Sequence, residues 1–219
     1  MSHAHIAWLQ DDGRPLGGLS LPDHEQQEMR GFKHASRQRS FLLSRLLLRQ
    51  TLSGLLPDQE LHFSRAESGR LLLANHGNWH ISLSHAETGI AVIVAEQPCG
   101  IDIEVSRRVA MEKIAARYFS AQESAALLAT AEADRPDFFF RLWTLKEASV
   151  KALGEGLADN MARLAFDISG SSPRTYSASP ALQLWQEYAA PHRIAAAVTG
   201  NDAVHWHSRQ LSIEELAAS

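Results

Sequence analysis

One stretch of the sequence, residues 138–157, constrains the fold more than any other; it reads FFFRLWTLKEASVKALGEGL. Its large apolar side chains recur at helical spacing and others cover much of the opposite side, so the sequence predicts a buried helix. The same helix carries Lys146, Glu147 and Lys151, and charged groups inside a core are costly unless they are paired or bound to an ion. One interpretation is a helix-surface ion pair between Glu147 and Lys151, worth about 0.3–0.5 kcal/mol. The other interpretation is a ligand site.

Length and composition limit the classes of protein to which the chain can belong. The 219 residues are 45% hydrophobic, which is ample for a packed core in one large domain or two small ones. No apolar run approaches the ~20 residues that span a bilayer, so we expect no membrane partner and no signal segment. The single cysteine, Cys99, excludes an internal disulfide framework and fits a reducing cytoplasm. A net charge of −4 argues against nucleic acid as the main partner.

A pair of carboxylates lies in residues 101–105, which read IDIEV. Strand alternation puts the three apolar residues on one face and sets Asp102 and Glu104 side by side on the other. Neighbouring carboxylates repel each other. A strand this rich in β-branched residues is expected to be at least half buried, and a hard divalent cation would relieve the repulsion there. A solvated sheet edge would also tolerate the pair, so the pattern alone is a weak indication of a metal.

Several basic residues of the first half have two interpretations. A predicted helix at 36–55 carries Arg37 and Arg45, which either lie on a solvated face or form an anion-binding edge. Arg70 directly follows a predicted polar turn.

Ser84 and His85 are expected in the bend between predicted strands at 79–83 and 89–95. A lone histidine in such a bend is usually only a polar turn residue, and it has a catalytic role only with suitable partners. The interpretation of His85 therefore depends on its neighbours.

The order of predicted elements indicates an α+β fold built of two similar halves. Each half offers a long helix followed by a run of strands. We expect an N-terminal half at 1–99 and a C-terminal half at 100–219, related by a pseudo-twofold axis. The halves would meet near Gly100, and an active site would lie at this seam, next to Asp102 and Glu104.

Taken together, the residues that carry chemistry are three carboxylates, two lysines, one histidine and several arginines. Carboxylates and phosphate oxygens are the usual ligands of Mg²⁺, and cations nearby offset the remaining phosphate charge. The set therefore suits a metal-bound polyphosphate. The sequence has no glycine-rich loop of the P-loop or Rossmann type, which removes the main support for a kinase or an NTPase.

Two motifs make the sequence resemble the 4′-phosphopantetheinyl transferase superfamily. The segment GIDIE at 100–104 is similar to the family's first acidic motif, and W-x-x-K-E-A-x-x-K-x-x-G-x-G-L at 143–157 is similar to its second. The spacing of about forty residues, with an F-S-x-x-E element at 119–123 between them, also resembles the family. Length and doubled layout resemble the monomeric surfactin-synthetase-activating type.

The resemblance implies a set of site residues. Asp102, Glu104 and Glu147 would be ligands of Mg²⁺, for which Mn²⁺ could substitute, and Glu147, Lys151 and His85 would take part in catalysis. Contacts with coenzyme A would come from the remaining polar and basic residues of the motifs, namely Arg37, Arg45, Arg70, Ser84, His85, Lys146 and Lys151. The chain departs from the family pattern at Ala86, where a serine is usual, and at Arg70, where a lysine is usual.

The reaction that the resemblance implies is transfer of 4′-phosphopantetheine from coenzyme A to a serine of an apo acyl or peptidyl carrier protein, with release of 3′,5′-ADP. Glu147 or a water on the metal would be the base. Two other hypotheses remain: a non-catalytic module that binds coenzyme A or a nucleotide, and a metal-dependent phosphohydrolase.

Overall fold

A computed structural model gives the structure of the protein and describes residues 1–154, 161–176 and 181–217. The first half of the chain contains two helices and five strands: β1 (Ser2–Gln10), α1 (Asp23–Arg30), α2 (Ala35–Ser53), β2 (Phe63–Arg65), β3 (Leu71–Leu73), β4 (His80–Ala86) and β5 (Gly89–Ala95). The described part of the second half contains β6 (Cys99–Val105), α3 (Met111–Tyr118), α4 (Ala121–Ala129), α5 (Arg135–Leu153), a 3₁₀ turn (Met161–Arg163), β7 (Phe166–Asp167), β8 (Arg174–Thr175), β9 (Leu182–Ala189), β10 (His192–Thr199), β11 (Val204–Leu211) and α6 (Ile213–Ala217).

Two sheets form the centre of the molecule, and the predicted mixed α+β fold is confirmed. The first sheet has the strand order β11-β1-β5-β4, and the second has the order β6-β10-β9. In each half the chain passes through a strand, then a 19-residue helix, and then an antiparallel pair of strands. The second strand of that pair lies in the sheet between the first strand of the half and its own partner. This repeated connectivity agrees with two similar halves, while the pseudo-twofold relation and the boundary at residue 99 stay predictions.

The core consists of three apolar clusters that fix the order of the layers. Helix α2 buries one cluster against the first sheet, and α5 buries another against the second sheet. The third cluster contains side chains of β1 and β5 from one sheet and of β6 and β10 from the other. The sheets therefore face each other, with one long helix covering each outer face. None of the helices in the described ranges has both the length and the apolar content of a membrane span.

Helix α5 is the buried helix that the sequence predicts, although it starts earlier than expected. Pro136 lies in its first turn, where a missing N–H costs nothing. Gly154 ends the helix in the left-handed conformation, at φ 70°, which glycine adopts without the Cβ clash of other residues. Two further residues of the second motif, Gly156 and Leu157, lie outside the described residues.

Gly100 allows α5 to approach β6 very closely. A Cβ atom at this position would lie 2.1 Å from the carbonyl oxygen of Ala148 and 2.5 Å from the backbone nitrogen of Ala152. Both of these are backbone atoms of α5, so no side-chain rotation would make room. The glycine therefore sets the distance between the strand that carries Asp102 and the helix that carries Glu147 and Lys151.

Strand alternation in β6 is confirmed, but the predicted bend in the preceding hairpin is wrong. Ile101 and Ile103 are buried in the apolar cluster between the sheets, opposite the carboxylates. Ser84 and His85 belong to β4 and pair with β5, and the turn lies after them, at residues 87–88. The strand continues through polar residues because Ser84 is buried against β6, where it has a partner.

Candidate active site

Asp102 lies at the centre of the candidate site, where β4, β6 and α5 meet. Its side chain is 8% exposed. Oδ1 accepts hydrogen bonds from Ser84 Oγ and Lys151 Nζ, each at 2.8 Å. Oδ2 is buried and has no hydrogen-bond partner in the described part of the chain. A buried carboxylate oxygen without a partner is costly, so this atom indicates the place of a ligand.

Lys151 joins the two halves of the chain at this point. Its ammonium group donates to Ser84 Oγ at 3.1 Å and to the carbonyl oxygen of Ile101 at 2.9 Å, in addition to Asp102. The ion-pair partner of Lys151 is therefore Asp102 on the neighbouring strand, and the interpretation of a simple helix-surface pair with Glu147 does not describe the structure.

Glu147 and Glu104 lie near enough to Asp102 for its charge to act on both of them. Burial, and next the charge of Asp102, raise the pKa of Glu147 to about 7, while Lys151 opposes the shift. Burial and Asp102 also raise the pKa of Glu104, and Arg107 at 3.6 Å offsets this in part. The charge of Asp102 thus disfavours the ionised forms of both glutamates.

A cavity of about 550 Å³ opens beside these carboxylates and contains most of the predicted anion-binding residues. Its lining includes the cationic residues Arg37, Arg45, Arg65, Arg70 and Lys151 together with His85, and Glu147 is the one acidic residue among the described residues that line it. The apolar part of the wall comes from both halves, with Phe32, Phe41, Leu71, Ile81, Leu83 and Val150. A cavity with this lining can hold a polyanion that also has an apolar part.

Packing and ion pairs fix the arginines on the α2 side of the cavity. Arg45 is 3% exposed, and its Nε lies 3.0 Å from a carboxylate oxygen of the buried Glu25. Its guanidinium also stacks on the ring of Phe41, 4.8 Å from the centroid. Arg37 is exposed and stacks in the same way on Phe32. Fixed guanidinium groups lose less conformational entropy on binding than mobile ones.

Two further arginines come from the region around the β2–β3 hairpin. Arg70 donates to the carbonyl oxygen of Cys99 at 3.2 Å, which ties this region to the start of β6. Arg65 pairs with Glu28 at 3.0 Å. Sequence reasoning missed Arg65; the available signal was a second basic residue flanking the polar turn that precedes Arg70.

Lys146 is the predicted site residue that the structure places elsewhere. Its side chain is completely buried, and Nζ pairs with Glu123 at 2.8 Å. The same ammonium group donates to the carbonyl oxygens of Met161, at 2.8 Å, and Leu164. Lys146 and Lys151 are five residues apart on α5, so they point in different directions. The expected contact between Lys146 and coenzyme A is therefore not supported, because its hydrogen bonds are made inside the core.

The donor set fits a hard divalent cation, although it is not preassembled. Within the described ranges, no three side chains of histidine, cysteine, aspartate or glutamate are already gathered around one point. The free Oδ2 of Asp102 and the raised pKa values of Glu147 and Glu104 nevertheless indicate carboxylates that lack a compensating charge. Oxygen donors of this kind are the ligands that Mg²⁺ and Mn²⁺ prefer.

The chain is similar to known proteins of one superfamily. A family model described as the 4′-phosphopantetheinyl transferase superfamily matches residues 98–213. The 4′-phosphopantetheinyl transferase Sfp of Bacillus subtilis (strain 168) is 32% identical over 140 residues, which are 63% of this chain and 62% of that protein. The 4′-phosphopantetheinyl transferase psf-1 of Bacillus pumilus is 31% identical over 162 residues, which are 67% of this chain and 69% of that protein.

The extent of these matches is partial. The chain spans 62% and 60% of the length of Sfp and of ffp, a second Bacillus subtilis transferase. A solved structure of a holo-(acyl-carrier-protein) synthase from Bacillus anthracis, in complex with CoA (3′,5′-ADP), matches with a TM-score of 0.42 and 20% identity, over 48% of this chain and 96% of that chain. A likeness of that degree supports no conclusion about the site.

Proposed function

Since the chain belongs to the 4′-phosphopantetheinyl transferase superfamily, we propose that it transfers 4′-phosphopantetheine from coenzyme A to a serine of an apo acyl or peptidyl carrier protein. The observation that carries the proposal is the cationic cavity lined by Glu147 and by Lys151, whose ammonium group pairs with Asp102. Coenzyme A has a pyrophosphate, a further phosphate and a long uncharged arm, and this cavity offers cations and apolar wall to match.

The proposed cofactor is Mg²⁺, with Mn²⁺ as a substitute, held by Asp102, Glu104 and Glu147. Its chemical contribution when bound would be to neutralise charge on the pyrophosphate. The free Oδ2 of Asp102 supports this assignment. Lys151 and Ser84 hold the other oxygen of Asp102 and so restrict the orientation of the carboxylate.

The proposed reaction is a displacement at the β-phosphorus of coenzyme A. The serine oxygen forms a bond to this phosphorus, the bond to the bridging oxygen of the pyrophosphate breaks, and 3′,5′-ADP leaves with the electron pair. Lys151 and His85, with the arginines of the cavity, would hold the phosphates during this step.

Glu147 is the group of this chain that we propose as acceptor of the serine proton. It lines the cavity, and before a cation binds its pKa is about 7, close to the value that suits proton transfer at neutral pH. A cation bound nearby lowers this pKa, so Glu147 then stays ionised and able to accept a proton.

One experiment separates the proposal from its alternatives. The protein is incubated with coenzyme A, Mg²⁺ and an apo carrier domain, and the intact mass of the carrier is measured. We expect a phosphopantetheine adduct on the carrier and release of 3′,5′-ADP that requires the carrier. Release without a carrier would favour a phosphohydrolase, and tight binding without turnover would favour a binding module.

We further propose that one chain forms a complete site and acts as a monomer in the cytoplasm. Support comes from Ser84 of the proposed first half and Asp102 of the proposed second half, which share a hydrogen bond within one molecule. Specific activity should then be independent of protein concentration. An obligate oligomer in sedimentation, with specific activity lost on dilution, would refute this part alone.

A further inference from the structure

Four histidines lie together on one face of the first sheet, far along the chain from the residues discussed above. Strands β1 and β11 pair in parallel, with His3 opposite His205 and His5 opposite His207. Residues two apart on a strand share a face. The register therefore gathers four imidazole rings across one strand pair.

The rings are in direct contact. His3 Nδ1 lies 3.1 Å from His207 Nε2. The ring of His5 stacks on that of His207, with the centroids 4.5 Å apart and the planes 7° from parallel. His205 contacts His3 and His207 edge-on, at 5.7 Å and 4.9 Å between centroids. Eight ring nitrogens thus belong to one contiguous group.

A cavity and two further polar side chains lie beside the four histidines. A cavity of about 600 Å³ is lined by His5 and His207, and by Gln50 on α2. The Oε1 atom of Gln50 is buried and has no hydrogen-bond partner in the ranges that the structure describes. On the other side, Glu96 accepts a hydrogen bond from the backbone nitrogen of His3 at 2.9 Å. A carboxylate and an unused amide oxygen therefore border the imidazoles.

We propose that this histidine face is a second metal site, which binds a divalent transition metal such as Zn²⁺, Co²⁺ or Ni²⁺. His3 and His207 are the first two ligands, and a side-chain rotation of His5 or His205 supplies the third. Two nitrogens on a tetrahedral Zn²⁺, each at about 2.0–2.1 Å, are roughly 3.3 Å apart, close to the 3.1 Å between His3 and His207. In the described part of the chain no three such side chains are already placed to hold a metal, so binding requires the side-chain rotation of the third histidine.

Ligand type favours such a metal. Nitrogen ligands select Zn²⁺, Ni²⁺ and Cu²⁺, whereas the oxygen ligands of the proposed Mg²⁺ site select hard cations. The two sites therefore differ in the metal they take.

The proposed site also connects two distant parts of the chain. His3 belongs to β1 and His207 belongs to β11, the edge strand of the first sheet. A shared metal would cross-link these strands and hold β11 in the sheet. Since a ligand that binds only the folded state stabilises it, metal binding should raise the melting temperature.

The test compares Co²⁺ and Zn²⁺ binding in the full-length protein and in a His3→Asn/His207→Asn double variant, after chelator treatment and without Mg²⁺. We expect one Co²⁺ per chain with the absorption of a nitrogen-coordinated ion, displaced by Zn²⁺. At a hundredfold excess over Kd, Zn²⁺ should raise the melting temperature by roughly 5 °C or more. Both signals should be lost in the double variant.

Two control variants separate this site from the carboxylate site and from general histidine binding. Asp102→Asn should keep the Co²⁺ signal, because Asp102 belongs to the other site. His24→Asn/His62→Asn, which changes two exposed histidines elsewhere, should also keep it. Retention of the signal in the His3→Asn/His207→Asn variant, or its loss in Asp102→Asn, would overturn the proposal, as would absence of binding to the wild-type protein.

Discussion

Replacing Gly100 by alanine tests whether the contact between β6 and α5 holds the candidate site together. The new Cβ would lie 2.1 Å from the carbonyl oxygen of Ala148, whereas ordinary contact begins at 3.4 Å. The helix and strand would therefore have to separate by about 1.3 Å, the difference of these two distances. Overpacking of a core generally costs about 1–3 kcal/mol, and backbone atoms on both sides place this case at the upper end.

The displacement should damage the site as well as the fold. A shift of this size would stretch the 2.8 Å bond between Lys151 and Asp102 to roughly 4 Å, beyond hydrogen-bond distance. Misplacement by about 1 Å can cost on the order of a hundredfold in rate. We expect Gly100→Ala to lower the melting temperature by roughly 6–12 °C and to reduce carrier modification about a hundredfold at temperatures where the variant is folded.

Thermal unfolding and the carrier-mass assay measure the two effects, and Gly77→Ala is the matched control. A Cβ at Gly77 would meet no atom within 4 Å, and Gly77 is not among the glycines with positive φ. The control should be as stable and as active as the wild type. If Gly100→Ala kept the wild-type melting temperature and activity, the argument from close approach would be wrong.

Five other substitutions test the separate roles of the polar and charged residues. Lys146→Met should lower the free energy of unfolding by roughly 3–5 kcal/mol, because it leaves Glu123 as an unpaired buried charge. Adding Glu123→Gln should restore most of this loss. A single variant that is as stable as the wild type in denaturant unfolding would contradict the pairing. His85→Ala and Arg65→Ala should each raise KM for coenzyme A more than they lower kcat, and an unchanged KM would exclude that residue from the ligand site. In the metal-free protein, the free energy of unfolding should fall as the pH rises from about 4.5 to 7. The reason is that the raised pKa of Glu147 makes the folded state bind more protons than the unfolded chain in this range. Glu147→Gln should flatten this dependence in thermal unfolding, and an unaltered slope would show that another group causes it.

Local sequence patterns predicted the elements whose side chains alternate or cap in a regular way. The IDIEV strand has its apolar and acidic residues on opposite faces as expected. Ser120 and Glu123 have the Ser-x-x-Glu spacing of a capping box, and they form one at the start of α4. In both cases the signal is contained within five residues, so no tertiary information is needed to interpret it.

Other features could not be predicted, because they depend on contacts between distant segments. Helix α5 is apolar nearly all round, so its sequence offers no face by which to assign Lys146 to the core and Lys151 to the cavity. Their partners settle the question, and these are Glu123 on α4 and Asp102 on β6. Strand β11 was missed for a similar reason: it lies at the edge of its sheet and is mostly exposed, so it lacks a continuous apolar face.

The charge distribution explains why an otherwise stable fold would retain buried carboxylates. Asp102, Glu104 and Glu147 are balanced in part by the ammonium group of Lys151 and by Arg107 beside Glu104, so three carboxylates against these two cations leave excess negative charge at the carboxylate end of the site. The opposite end has excess positive charge, since its arginines are only partly balanced by Glu25 and Glu28. A polyphosphate alone would be repelled at the first end, and a divalent cation alone would be repelled at the second. Cation and polyphosphate bound together neutralise both, so each should strengthen the binding of the other by the same factor. Under the proposed function, this coupling would turn the energetic cost of the buried carboxylates into selectivity for a metal-bound polyphosphate over either ion alone.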